Sequence, residues 1–186
     1  MTAQSKRTSQ YLAIASAAAL IAVLASGPAL AANNATASAT AVVLVPISVA
    51  KTTDLSFGRL VAGNGTVTLD TSGARTKTGT AALPTGASST AALFTVTGDT
   101  TNTFSISYTG SSTVLTNGTP ADDMAVSFVS EAVGTAAPTG VTSGQASTGT
   151  LVSGNAYIYV GATLVVGASQ NAGTYTGSVA VTVDYN

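Results

Sequence analysis

Beyond residue 31, apolar and polar residues alternate at period two, and no stretch repeats at the helical period of 3.6. Leu55 and Phe57 alternate ahead of Gly58, and Val67 and Leu69 follow the turn pair Asn64-Gly65. Phe94 and Val96 come next, then Phe104, Ile106 and Tyr108. Asn117-Gly118 precedes Met124, Val126 and Phe128, and Gly154-Asn155 precedes Tyr157, Tyr159 and the run Leu164-Val165-Val166. Tyr175, Gly177, Val179, Val181, Val183 and Tyr185 share one parity, with Ser, Ala, Thr and Asp opposite. About seven strands joined by Gly and Asn turns predict an all-β, immunoglobulin-like β-sandwich. The Gly/Ser/Thr stretches 79–90 and 135–150 read as surface loops.

The strand pattern is richest where it begins. Ala35, Ala37, Ala39, Ala41, Val43, Val45, Ile47 and Val49 are all apolar and all odd-numbered. The even positions are small or polar, apart from Val42, Leu44 and Pro46. Proline cannot donate to a ladder and sits at edges or breaks. The run therefore divides near Pro46 into an arm over 32–45 and a body over 46–186, whose first strand spans Ile47 to Val49. At the other end, the alternating run closes on Tyr185 with no turn after it, so a further strand beside it has to come from elsewhere.

Ahead of the arm, Lys6 and Arg7 form a positive start, Tyr11 to Ala25 an apolar run, and Ala29-Leu30-Ala31 a small-residue cleavage pattern. This predicts a secretory signal peptide over 1–31. The apolar run is roughly 15 residues, short of the ~20 that span a bilayer, so no membrane span is expected in the mature chain.

Composition narrows the chemistry. The 186 residues include no Cys and no His, so Ser–His and Cys–His pairs are excluded and no disulfide staples the fold. Four basic residues lie beyond the leader against seven acidic ones, a balance of −3 that, without a Lys/Arg cluster, speaks against nucleic acid. Asp122-Asp123 beside Pro120 reads as a turn rather than a paired-carboxylate site. Asp54, Asp70, Asp99 and Asp122 lack the spacing of a calcium loop. No cofactor, metal or catalytic residue is expected. A platform of Tyr157, Tyr159, Tyr175 and Tyr185 for glycans competes with a packing role, which their phase with apolar neighbours favours. The sequons at Asn34, Asn64 and Asn117 read as loop and hairpin residues.

Three segments carry a resemblance: Leu55-Ser56-Phe57-Gly58, the stretch Tyr157 to Leu164, and Ala172-Gly173-Thr174-Tyr175-Thr176-Gly177 through Val183-Asp184-Tyr185-Asn186. They resemble a widespread secreted bacterial domain of unknown function, itself similar to spore-coat-U and archaic chaperone–usher pilin domains. This resemblance implies a sandwich one strand short, completed by the arm of a neighbouring subunit. The implied donor strand is Ala39, Ala41, Val43, Val45 and Ile47. The implied acceptor groove, which meets the chaperone first, is Tyr175, Val179, Val181, Val183 and Tyr185. The expected function is a structural subunit of a surface fibre, polymerised with identical subunits through a periplasmic chaperone and an outer-membrane usher. A self-complemented adhesin or outer-surface sandwich is the alternative. The chain departs from archaic pilins in lacking their cysteine pair.

Overall fold

Strand formation here rests on β-branched and aromatic residues set at alternate positions, which pack well on a pleated, half-buried surface. The computed structural model describes residues 33–134 and 137–186; segment 1–31, predicted as a signal peptide, lies outside the described residues. Residues 43–186 form one unit, and 33–42, which belong to a separate one, contain no helix or strand.

The strands are β1 (Ser48–Thr53), β2 (Gly65–Leu69), β3 (Arg75–Lys77), β4 (Ala92–Thr97), β5 (Thr103–Ser107), β6 (Val114–Leu115), β7 (Met124–Val133), β8 (Thr148–Thr150), β9 (Asn155–Val166) and β10 (Thr182–Tyr185). A seven-stranded sheet runs β1-β4-β9-β2-β3, with β7 on the other side of β9 and β6 beside β7. A three-stranded sheet runs β10-β5-β8. All pairings are antiparallel and the two sheets pack as a β-sandwich, as the period-two pattern predicts.

β9 is the axis of the large sheet. Its residues Asn155–Val160 pair with β4 and its residues Ala162–Val166 with β2, while β7 follows it from Tyr157 to Leu164. The change of partner falls at Gly161, where a Cβ would stand 2.3 Å from the Leu69 carbonyl oxygen, so only glycine fits. The inward face of β9 is Ala156, Ile158, Val160, Ala162, Leu164 and Val166. Tyr157 and Tyr159 therefore face outward and are half-buried. Their phase is the reverse of the predicted one, because Ile158 and Val160 take the inward positions beside them.

β1 runs farther than the apolar pattern predicts, through Lys51 to Thr53. Hydroxyl pairs extend it: Ser48 Oγ meets Thr97 Oγ1 at 2.8 Å, and Thr52 Oγ1 meets Thr95 Oγ1 at 2.9 Å. The C-terminal run is shorter as a strand than its alternation predicts. Only Thr182–Tyr185 form a ladder, with β5, while 176–180 lie along 111–116 through one bridge, a Ser112 N–H bond to the Ser178 carbonyl at 2.8 Å and serine side chains.

Loop 137–147 is held down by polar anchors on β7 and by Thr71. The Ser130 hydroxyl accepts the Ala146 N–H at 2.9 Å and meets the Tyr108 hydroxyl at 2.6 Å. Burial pushes the Tyr108 phenol up, so it stays protonated. Burial also pushes the Glu131 carboxyl up, but hydrogen bonds from the Thr71 hydroxyl and from Thr139 N–H (2.8 Å) and Oγ1 (2.7 Å) outweigh it and hold the group low. A carboxyl lowered on folding stabilises the fold above its unfolded value of about 4.3 and loses that contribution as pH falls through the folded value. Acidification from about pH 5 to pH 3 therefore lowers the melting temperature, and Glu131→Gln flattens that part of the profile. An unchanged slope in the variant, read by thermal denaturation at each pH, removes Glu131 from this role.

Candidate functional site

The small sheet covers only part of the large sheet's inner face, and loop residues such as Phe57, Leu60 and Leu83 cover part of the rest. Between the chain that leaves β1 and the C-terminal run lies a groove of about 1040 Å³. One wall is Lys51 to Ala62 and the other Gln170 to Val179. The floor is the inner face of the large sheet: Ala92 and Phe94 of β4, Met124 and Phe128 of β7, and Leu164 of β9. Three of the chain's four phenylalanines, Phe57, Phe94 and Phe128, line it.

The core is divided at the same place. One buried cluster gathers Phe94, Phe104, Ile158 and Val183, and the other Phe57, Leu69, Met124 and Leu164. Leu55 and Phe128, both lining the groove, are half-buried against both clusters.

Both walls end in unpaired strand edges. β1 is the last strand of its sheet on that side, and β10 the last of its own. Along the C-terminal run the even residues are engaged: Thr176 exchanges both backbone bonds with Thr116 at 2.9 Å, and Ser178 N and Ala180 N donate to serine hydroxyls at 2.9 and 3.0 Å. Among the described residues, the alternating main-chain groups of Gly177, Val179 and Val181 have no partner. Such a row is a template for one more strand.

The wall after β1 is not a strand, yet it is fixed. Ser56 exchanges backbone bonds with Thr90 at 2.8 and 2.9 Å, and Val61 with Ala82 at 2.9 and 3.2 Å. Arg75 Nη1 donates to the carbonyls of Phe57 (2.6 Å) and Arg59 (3.0 Å), and its Nη2 to that of Ala87 (2.9 Å). Gly58 turns the wall at φ +67, where a Cβ would lie 2.1 Å from the Ser88 carbonyl oxygen. At the far end, Tyr175 lays its ring in the groove. Its hydroxyl accepts Gln170 Nε2 at 2.9 Å and Asn117 Nδ2 at 3.3 Å and donates to the Asn171 carbonyl at 2.8 Å.

The predicted acceptor residues divide. Tyr175 and Val179 line the groove; Val183 is buried in the first cluster, and Val181 is half-buried against it. Tyr185 stands outside the groove: its hydroxyl accepts the Asp99 N–H at 2.6 Å and donates to the Val45 carbonyl at 2.8 Å. Of the predicted donor residues, Ala39 and Ala41 are exposed and outside any strand, and Val43 is 93% exposed. Val45 and Ile47 touch the body, Val45 through its carbonyl's bond to Tyr185 and Ile47 through packing against the first cluster, and Val45 is 56% exposed. Leu55, Phe57, Phe94 and Phe128 were not predicted as site residues. The Leu55-Ser56-Phe57-Gly58 segment was the available signal.

The remaining candidates stay apart. The four tyrosines form no platform: Tyr157 and Tyr159 lie on the outer face, Tyr175 at the groove end and Tyr185 against Asp99. Asp54 pairs with Lys51 at 2.6 Å, Asp70 Oδ1 accepts Ser72 N and Ala74 N at 2.9 Å each, Asp99 accepts Thr100 N at 2.8 Å, and Asp122 accepts Asn171 Nδ2 at 2.8 Å. Among the described residues, no three His, Cys, Asp or Glu side chains gather to hold a metal.

Residues 47–185 match the domain of unknown function DUF4402. No curated protein and no solved structure matches the chain.

Gly58→Ala adds a Cβ where the backbone is left-handed and a carbonyl already fills the space. It is expected to cost about 2 kcal/mol or more, read as a lower urea midpoint at unchanged slope. A variant as stable as the parent means the wall is not fixed at this residue.

Proposed function

We propose that this chain, which belongs to the DUF4402 family, is an exported structural subunit whose groove accepts the N-terminal arm of a second copy, so that copies polymerise into a surface fibre. The observation that carries this reading is the pairing of vacancy and occupant in one sequence. An apolar groove between two unpaired edges is matched by an alternating apolar arm whose Val43, Leu44 and Val45 are 93%, 42% and 56% exposed.

Strand addition takes affinity from main-chain hydrogen bonds and register from alternate side chains. Each ladder bond contributes about 0.5–1.5 kcal/mol. Each buried alanine methyl contributes about 0.8 kcal/mol and Val43 about 1.5–3 kcal/mol. These terms are comparable with the ~5–15 kcal/mol stability of a domain, so an occupied groove outlasts an empty one by a wide margin. The donor is a second copy because Val45 is held by Tyr185 and Ile47 packs on the body, while residues 43–47 form no turn that would send the arm back along its own β1. An empty groove is an aggregation edge before polymerisation, which gives a periplasmic chaperone its task and an outer-membrane usher the task of exchange. The leader-like segment 1–31 supports export. The Leu55–Gly58 and Ala172–Asn186 segments resemble a secreted bacterial domain that itself resembles spore-coat-U and archaic chaperone–usher pilin domains, which points the same way.

Purified protein is expected to run as a ladder in detergent gels without heating and to collapse to monomer after boiling. Deleting 33–43 while keeping the leader is expected to leave a folded monomer and no ladder. Monomer in both lanes for the intact chain overturns the polymer reading and supports a self-completed sandwich.

A further inference from the structure

We propose that the Tyr185 hydroxyl decides whose groove the arm fills, by holding the root of the arm against reversal. This rests on the donor-strand reading and adds the means by which a copy is kept from completing itself. Tyr185 packs its ring against the first core cluster and engages main chain with both capacities of its hydroxyl. It accepts the Asp99 N–H at 2.6 Å and donates to the Val45 carbonyl at 2.8 Å. The site is shaped for that oxygen. A Cβ on Gly98 would stand 2.4 Å from it. The Gly98 N–H is tied to the Gly154 carbonyl at 3.1 Å, so the turn that presents the Asp99 N–H is itself fixed.

The bond to Val45 falls where the chain could most readily double back. Val45-Pro46-Ile47-Ser48 carries proline at the second position of a four-residue turn, where its fixed φ favours the turn. In such a turn the carbonyl of the first residue, Val45, accepts the closing bond from the N–H of the fourth, Ser48. The reversed arm would then run antiparallel along the free edge of β1, which borders the groove at Lys51 and Thr53. That hairpin is the route to a self-completed sandwich. Tyr185 engages the Val45 carbonyl instead, and residues 43–47 contain no turn. Tyr185 is thus a positioning residue: it touches the root of the arm rather than the groove, and it biases exchange towards a second copy.

The chain contains no cysteine, so an engineered pair reports only on itself. Val179→Cys in the groove wall is combined with Ala37→Cys, Ala39→Cys or Ala41→Cys in the exposed arm, in the full chain with its leader. After oxidation and boiling, a non-reducing gel separates two products. An arm in its own groove gives a closed monomer that migrates faster than the reduced chain, and an arm in another copy's groove gives linked multimers. With Tyr185 intact, multimers are expected to dominate. Tyr185→Phe keeps the ring and removes one hydrogen bond from the root, so the ratio of closed monomer to multimer is expected to rise about two- to tenfold. Gly98→Ala displaces the same oxygen from the other side. It is expected to raise the ratio likewise, and it supplies the reading if Tyr185→Phe does not fold.

An unchanged ratio overturns the proposal, because the root then has no say in where the arm goes. An equal loss of both products also overturns it, because Tyr185 then acts on stability alone. In both cases the multimers of the parent pair persist, so the donor-strand reading stands. A parent pair that gives no multimer removes that reading, and this inference with it.

Discussion

An antiparallel sheet can hide its apolar face only where a partner sheet or packed loops lie over it. In this chain the large sheet has seven strands and the small one three, and the mismatch falls between β1 and the C-terminal run. There the inner face of β4, β7 and β9 meets a groove instead of a strand, and the core parts into two clusters joined through Leu55 and Phe128. Every other notable feature stands in some relation to that gap. Arg75, Gly58 and the Ser56–Thr90 bridge hold one wall of it, Tyr175 closes one end, and the free main chain of Gly177, Val179 and Val181 edges it.

Holding such a gap open requires a wall that does not collapse onto the floor. A wall made of regular strand would satisfy its own polar groups by pairing and would close the sheet. The segment 54–62 pairs only at two isolated bridges and does not close the sheet. It turns its hydrogen bonds away from the groove, towards Thr90, Ala82 and the Arg75 guanidinium, and so leaves its apolar side chains facing inward. A guanidinium suits this position because one planar fork reaches three carbonyls at once, which an ammonium on a flexible stem cannot do with the same rigidity. The loop 137–147 shows the same economy on the opposite side of the body, where Glu131, Ser130 and Thr71 supply the bonds that an absent strand would have made.

Much of the sandwich was legible from alternation. β2, β4, β5 and β7 lie where Val67, Phe94, Phe104 and Met124 place them, because one face of each is buried and a slip of one residue would expose it. Alternation misleads where the inward residues are small. Ala156 and Ala162 carry little hydrophobic signal, so the conspicuous tyrosines of β9 suggest the wrong face. It also misleads where hydroxyls do the pairing, as in the Lys51–Thr53 end of β1. The groove was half visible. The C-terminal wall announces itself through Tyr175 and Val179, whereas the opposite wall carries only the short Leu55/Phe57 alternation, and the floor comes from strands that the sequence places far apart.

The arm was legible for a related reason. On the donor-strand proposal, a segment that pairs with another copy would carry the alternation of a buried strand, since its pattern is fitted to the surface it meets. Ala35 to Val43 alternate as strictly as β4 does, yet they lie outside any strand. Solvent imposes no such parity: an exposed linker gains nothing from placing alanine at every odd position and threonine or serine at most even ones. The regularity fits the proposed docking of the segment on a pleated surface with one apolar side, such as the groove between β1 and the C-terminal run.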